Sequence, residues 1–310
     1  MPAIDQLFGE AARAHGIQAK DFSQPASHFV TANGLRFHYV DWGGSGFPVL
    51  FLHGGNQTAR TWDLVCVQLR DTYHCYALDQ RNHGDSAQVP DGDAAPFAQR
   101  EDVRGVVEAL GLRQFVLVGM SMGGFNTMAY AARYPERLRA IAIVDVSPTI
   151  QPQGTREIAE FTRRQEFGSF EEAVDYSARS NPQRSVAHLR YSLAFALRQR
   201  EDGIWTWKHQ RAPQAARREQ TPPAGATGAA EGAATQRFAA LWDEVHKIPC
   251  PALIIRGGDS KILSQEDGER LARTIPRGSF VTVPGATHTV QGDKPKELAA
   301  ELGRFLRTVA

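Results

Sequence analysis

Ser121 lies in Gly119-Met120-Ser121-Met122-Gly123-Gly124, directly after the apolar run Phe115-Val116-Leu117-Val118. A Gly-x-Ser-x-Gly pattern between a buried-type strand and a helix, expected from Phe125 to Tyr134, requires a very tight turn with strained backbone at the serine. Glycine is needed on both flanks because a side chain there would collide with the adjoining strand and helix. The turn lifts the hydroxyl out of the sheet and sets a helix N-terminus, with its unpaired N–H groups, beneath it. The chemistry suited to such a hydroxyl is nucleophilic attack.

A serine hydroxyl is a weak nucleophile at neutral pH, so it needs a base, and the base needs an orienting acid. Parallel sheets place ligand chemistry on the loops that follow strand C-terminal ends, and the partners are sought there. The last such loop, Pro284-Gly285-Ala286-Thr287-His288-Thr289, offers His288 as base. The loop before it, Arg256-Gly257-Gly258-Asp259-Ser260, offers Asp259 as acid in the order Ser…Asp…His. The bland alternatives are a solvated loop histidine and an aspartate that caps a turn. Asp145, in Val144-Asp145-Val146-Ser147-Pro148, is the alternative acid, since it too ends a strand. Asp259 is preferred because it lies one strand before the histidine; Asp145 is read as pinning the start of the insertion that follows.

Acyl chemistry also needs donors for a developing oxyanion. The Met122 N–H is one, and the loop His53-Gly54-Gly55-Asn56 is expected to supply the other, from Gly55 first and Asn56 second. His53 is read as structural, holding this loop by hydrogen bonds. The polar turn Asp79-Gln80-Arg81-Asn82-His83-Gly84-Asp85-Ser86 is read as scaffold, with Arg81 and Asp85 locking neighbouring loops.

The elements that must position these residues alternate. Residues 1–27 read as a short helix and tether without chemistry. Asn33-Gly34 between His28–Thr31 and Leu35–Val40 signals a hairpin. Buried-type strands follow at Pro48–Leu52, Tyr73–Leu78, Phe115–Val118, Ala140–Val144, Ala252–Arg256 and Ser279–Val283. Helices are expected at Phe97–Leu110, after Ser121, and at Lys296–Thr308. Strands apolar on both faces, separated by helices, indicate a mostly parallel sheet covered on both sides. The alternation stops near Pro148. Residues 149–246 read as a helical cap over the C-terminal edge of the sheet, with Phe161, Phe167, Phe170, Tyr176, Leu189, Leu193, Phe195 and Leu197 at helical spacings. Within it, 213–235 is rich in Ala, Gly, Thr and Pro and reads as a flexible loop. The cap aromatics, including Tyr191, Trp205 and Trp207, are expected to be core more than pocket lining. Its arginines (Arg163, Arg164, Arg179, Arg184, Arg190) are expected to be mostly solvated, with a substrate carboxylate as the sharper alternative.

Composition narrows the field further. A net charge of +1 over 310 residues offers no electrostatic basis for binding nucleic acid or an anionic membrane. No run approaches the ~18 apolar residues of a membrane span, and the N-terminus lacks the order of a signal peptide. Cys66, Cys75 and Cys250 have no metal-ligand spacing and read as buried thiols of a reducing compartment, so a cytoplasmic location is expected. Neither a dinucleotide fingerprint nor a His-Glu-x-x-His motif occurs, so no cofactor and no metal are expected.

Taken in order, the His-Gly loop, the Asp-x-Arg-x-x-Gly-x-Ser turn, the Ser-Met-Gly-Gly elbow and the late Asp and His resemble the α/β-hydrolase superfamily in its capped, serine-dependent form. The resemblance covers 28–148 and 247–310, with the cap recognised by position. Two departures are Asn82, where relatives often carry Gly, and His-Gly-Gly-Asn in place of the His-Gly-Gly-Gly of many lipases and esterases. Relatives with dehalogenase or epoxide hydrolase activity carry Asp at the elbow, so Ser121 speaks against both. The resemblance implies a small-molecule acyl substrate, a carboxylic ester or lactone, cleaved through an acyl-enzyme. C–C bond cleavage of diketone or dienoate acids is the alternative, as is a low-turnover ligand receptor on the same fold. Self-association is left open.

Overall fold

Val49–Leu52, Phe115–Val118 and Ala140–Val144 are apolar at every position, so each strand has two faces to bury, and one covering layer cannot serve both. The computed structural model describes residues 3–89, 97–149, 151, 154, 156, 158, 160, 162–209 and 238–310. Phe161 and the loop expected at 213–235 lie outside the described residues. The chain begins with helix α1 (Ile4–Ala14) and strands β1 (Ala26–Ala32), β2 (Leu35–Asp41) and β3 (Pro48–Leu52). Helix α2 (Asp63–Leu69), β4 (His74–Leu78), α3 (Ala98–Ala109), β5 (Phe115–Met120), α4 (Met122–Arg133) and β6 (Leu138–Val144) follow. After a long insertion come β10 (Ala252–Gly257), α8 (Gln265–Thr274), β11 (Gly278–Val283), the short α9 (Val290–Asp293) and α10 (Pro295–Thr308).

Eight strands form one sheet in the order β1-β2-β4-β3-β5-β6-β10-β11. Every pairing from β4 to β11 is parallel; β1 and β2 form the expected hairpin, with Asn33 and Gly34 both at positive φ. Val49, Phe51, Val116, Val118, Ala142 and Val144 face one core under α2 and α10, while Leu50, Leu52, Leu117, Ile141 and Ile143 face another under α3 and α4. Alternate residues therefore bury against opposite layers, the pattern that uninterrupted apolar runs require.

Register decides where the site forms. Met120 of β5 and Ile255 of β10 both pair with Val144 of β6, so residues 121 and 145 leave the sheet side by side while β10 runs on beside residue 145 to Gly257.

The insertion differs from an all-helical reading. Helices α5 (Phe170–Ser180) and α6 (Val186–Ala196) are present, followed later by the short α7 (Trp242–Val245). But Glu166–Phe167, Leu197–Gln199 and Trp205–Trp207 form β7, β8 and β9 of a small antiparallel sheet in the order β7-β9-β8. Phe167 and Leu197 are strand residues. Strands this short carry too few residues for a period of two to register, and only pairing across the chain stabilises them. Phe167, Trp207, Val174, Leu193 and Leu197 form a separate small core there, as expected for aromatics that pack.

The N-terminal segment also does more than tether. Leu7, Phe8, Ala11 and Ala12 of α1 are buried, and Phe8 packs on Tyr191 of α6 with ring centroids 5.1 Å apart. The Tyr191 hydroxyl donates to Asp63 at 2.6 Å, Trp42 Nε1 donates to the other oxygen at 3.1 Å, and Arg60 pairs with the same carboxylate at 2.6 Å. Burial pushes Asp63 up to about 6, opposed chiefly by Arg60. This buried network ties the insertion to the layer above the sheet. Tyr191→Phe removes a donor from a buried carboxylate and is expected to cost about 1–3 kcal/mol of stability; urea unfolding monitored by tryptophan fluorescence measures it, and an unchanged midpoint would contradict the role.

Candidate active site

Ser121 has φ 51° and ψ −115°, a conformation L-residues avoid. Its N–H donates to Val144 O at 3.0 Å, and the Gly123 N–H donates to His53 O at 3.1 Å. A Cβ on Gly123 would lie 2.4 Å from Leu52 O, and one on Gly119 2.2 Å from Gly123 O. Glycine at both flanks is therefore steric necessity. The turn is squeezed between β3, β6 and its own helix.

His288 joins the serine to an acid. Its Nε2 stands 3.0 Å from Ser121 Oγ, and its Nδ1 stands 2.8 Å from Asp145 Oδ2. Asp145 is wholly buried and also accepts from the Gly257 N–H at 2.7 Å and from the Ser260 hydroxyl. The expectation of Asp259 is corrected here. Asp259 is exposed, its backbone N–H donates to Ala286 O at 2.8 Å, and both ring nitrogens of His288 are engaged elsewhere. The reason is register: β6 lies between β5 and β10, so Asp145 emerges beside Ser121, whereas the Gly257-Gly258 turn carries Asp259 past the histidine. Asp145 is flanked by Val144 and Val146, both buried, and a lone carboxylate among apolar neighbours must find partners. That was the available signal. Ser260, a donor to Asp145, had none.

The oxyanion expectations divide. Among the described residues no acceptor takes the N–H of Gly55 or Met122, and Gly55 borders the same cavity as Ser121. Asn56 is corrected: its N–H donates to His83 Nε2 at 3.1 Å and is not free to meet a substrate. Gln57 was not foreseen. Its Oε1 accepts from the Gly54 N–H at 3.0 Å and from Gln291 Nε2 at 3.2 Å, bracing the loop against the His288 side.

His53 is fully buried, with Nδ1 2.7 Å from Gly54 O and Nε2 accepting from the Gln80 N–H at 3.0 Å. It thus serves as a loop strut. Burial, with His83 beside it, brings its pKa down to about 3. Arg81 pairs with Asp102 of α3 and Asp85 with Lys208, each joining the 79–86 turn to a neighbour. Asn82 has φ 64°, a left-handed position that Asn tolerates nearly as Gly does, which accounts for its place there. His38 of β2 with Asp79 and Asp85 of that turn forms the metal-ligand-type cluster among the described residues. Asp79 already accepts from His38, from the Ala59 N–H and from the Asp85 N–H, and Asp85 is paired with Lys208, so their donors serve the fold.

A cavity of about 400 Å³ opens over Ser121 and His288. Met120, Ile158, Leu189 and Leu193 give it apolar wall; Ser177, Asn181 and Arg184 give it polar wall. Of the insertion's arginines, Arg184 reaches the cavity. Arg164 and Arg190 pair with Glu172 and Glu171 near the surface.

The sequence matches the alpha/beta hydrolase fold family over residues 48–295. It is 32% identical over 268 residues to the esterase Rv0045c of Mycobacterium tuberculosis, covering 83% of this chain and 82% of that one. The crystal structure of that esterase superposes with a TM-score of 0.75 over 99% of this chain and 98% of that one, at 29% identity. A bifunctional esterase/perhydrolase of Acinetobacter calcoaceticus is 27% identical, covering 91% of this chain and 99% of that one. A 2-(acetamidomethylene)succinate hydrolase of Mesorhizobium japonicum is 28% identical, covering 85% and 89%. The chain belongs to the α/β-hydrolase fold family. Among the described residues no helix is long and apolar enough to cross a membrane.

The strut makes an expectation about acid. His53 must stay neutral in the folded protein yet ionises near its ordinary 6.5 when unfolded. Its stabilising contribution is therefore complete above about 6.5 and is lost as pH falls toward 3, at up to about 1.4 kcal/mol per pH unit. His83 and His188, also held down by burial, act in the same direction, while Asp63 opposes them. Urea unfolding between pH 7 and 4 should show falling stability, with a shallower slope in His53→Asn.

Proposed function

We propose that the chain is a serine hydrolase that cleaves a small carboxylic ester or lactone through an acyl-enzyme intermediate. The observation that carries this is the hydrogen-bonded line Ser121–His288–Asp145, at 3.0 and 2.8 Å, in the wall of a cavity large enough for a small acyl compound. Ser121 Oγ attacks the carbonyl carbon as His288 Nε2 takes its proton, and Asp145 stabilises the imidazolium that forms. The tetrahedral oxygen meets the free N–H groups of Gly55 and Met122. As the intermediate collapses, His288 protonates the leaving oxygen. Water then gives a proton to His288 and attacks the acyl carbon, and release of the acid returns the proton to Ser121.

Residues 28–148 and 247–310 act as the hydrolase core and 149–246 as its cap, whose α5 and α6 bring Ser177, Asn181, Leu189 and Leu193 to the cavity. The two esterases among the relatives favour ester over C–C bond cleavage. Three buried cysteines without disulfides are in keeping with a cytoplasmic setting.

A fluorophosphonate probe should label Ser121 in the native protein, read by peptide mass spectrometry, and short-chain nitrophenyl esters should turn over repeatedly. Both signals should vanish in Ser121→Ala; a folded wild type that neither labels nor turns over would sink the assignment. Asp145→Asn should lower kcat by about four orders of magnitude, while Asp259→Asn should stay close to wild type. The opposite pattern would restore Asp259 as the acid.

A further inference from the structure

His288 sits in a loop that the sheet holds on one side only. Ala286 is tied to β10 through the Asp259 N–H, at 2.8 Å. Beyond it, the residues on either side of His288 are held from the insertion. Arg184, just ahead of α6, donates from Nε to Asp293 Oδ1 at 2.9 Å and from Nη2 to the Thr289 hydroxyl. Asp293 Oδ2 in turn accepts from the Thr287 N–H at 2.9 Å and from the Thr287 hydroxyl. Thr287 and Thr289, the two neighbours of His288, thus end on one ion pair. That pair is sheltered, with side-chain exposures of 14% for Arg184 and 4% for Asp293. The guanidinium lies against Gly292, where an added Cβ would come within 2.7 Å of Arg184 Cζ. One helical turn on, His188 Nδ1 meets His15 Nε2 of the N-terminal segment at 2.9 Å. The Ser185 hydroxyl accepts from the His188 N–H at 3.2 Å and caps α6, so the gripping residues stand on an ordered helix end.

We propose that Arg184, acting through Asp293 and Thr289, is a positioning residue by which the insertion holds His288 in line with Ser121. The proposal rests on the hydrolase reading above. Nε and Nη2 of Arg184 are committed to protein partners, so it acts on the loop and not as the anchor of a substrate carboxylate. Removing it leaves Asp293 with an uncompensated buried charge and frees Thr289, and the loop between them loosens. A displacement of about 1 Å at a reacting group can cost up to about a hundredfold in rate.

The test compares Arg184→Ala, Arg184→Lys, Asp293→Ala and the Arg184→Ala/Asp293→Ala double variant on an uncharged nitrophenyl ester. Arg184→Ala should lower kcat roughly 10- to 100-fold with KM little changed. Arg184→Lys should recover part of the loss, and the double variant should lose less than the product of the two single losses, because Arg184 and Asp293 share a contact. Amide hydrogen exchange of the 286–293 peptide, measured without substrate, should rise in Arg184→Ala while the sheet strands keep their protection. Unchanged kcat with unchanged exchange overturns the proposal. So does a rise in KM confined to esters bearing a carboxylate, which would make Arg184 a substrate contact, and so does a loss of thermal stability with kcat preserved. If Ser121 proves inert, the exchange measurement still decides whether the clasp holds the loop.

Discussion

Ser121 keeps its left-handed backbone because three strands and a helix leave it no other place. Its N–H is taken by the end of β6, the Gly123 N–H by the end of β3, and the carbonyl of Leu52 stands where a side chain on Gly123 would be. Such a conformation costs on the order of 1–3 kcal/mol and persists only when its surroundings over-determine it. The surroundings here are the centre of the sheet, where β3, β5 and β6 bury apolar residues on both faces. The turn aims a hydroxyl away from the sheet and leaves the first amide of α4 without a partner among the described residues.

The rest of the site is arranged around that fixed point by hydrogen bonds of unequal depth. Asp145 is bound by a backbone N–H and a hydroxyl from the β10 turn, so its carboxylate is as rigid as the sheet. The 53–57 loop beside Ser121 is held by the neutral His53, by His83 and by Gln57. His288 stands on a loop that is gripped by the insertion through Arg184. The segment that lines the cavity thereby also restrains the histidine.

Much of this was legible before folding. Glycines around Ser121, the apolar strands, the hairpin at Asn33-Gly34 and a late histidine after a strand are local signals, each written within a few adjacent residues. The choice between Asp145 and Asp259 was not local: both stand after strands and both fall between Ser121 and His288 in the chain. The small sheet of the insertion was equally hidden, since strands of two or three residues acquire identity only from their partners.

What the sequence determined by itself was the strained serine turn, a histidine in the last post-strand loop, and a doubly covered parallel sheet, because strain, periodicity and turn chemistry are set by neighbours in the chain. What only the tertiary structure decided was which carboxylate meets His288, which amide of the 53–57 loop is taken, and which arginine holds the histidine loop. Those depend on strand order and register: β6 lies between β5 and β10, His83 reaches the Asn56 amide, and Arg184 crosses from the insertion to Asp293. Contacts between residues 27 to 109 positions apart are settled by packing, and no local pattern encodes them.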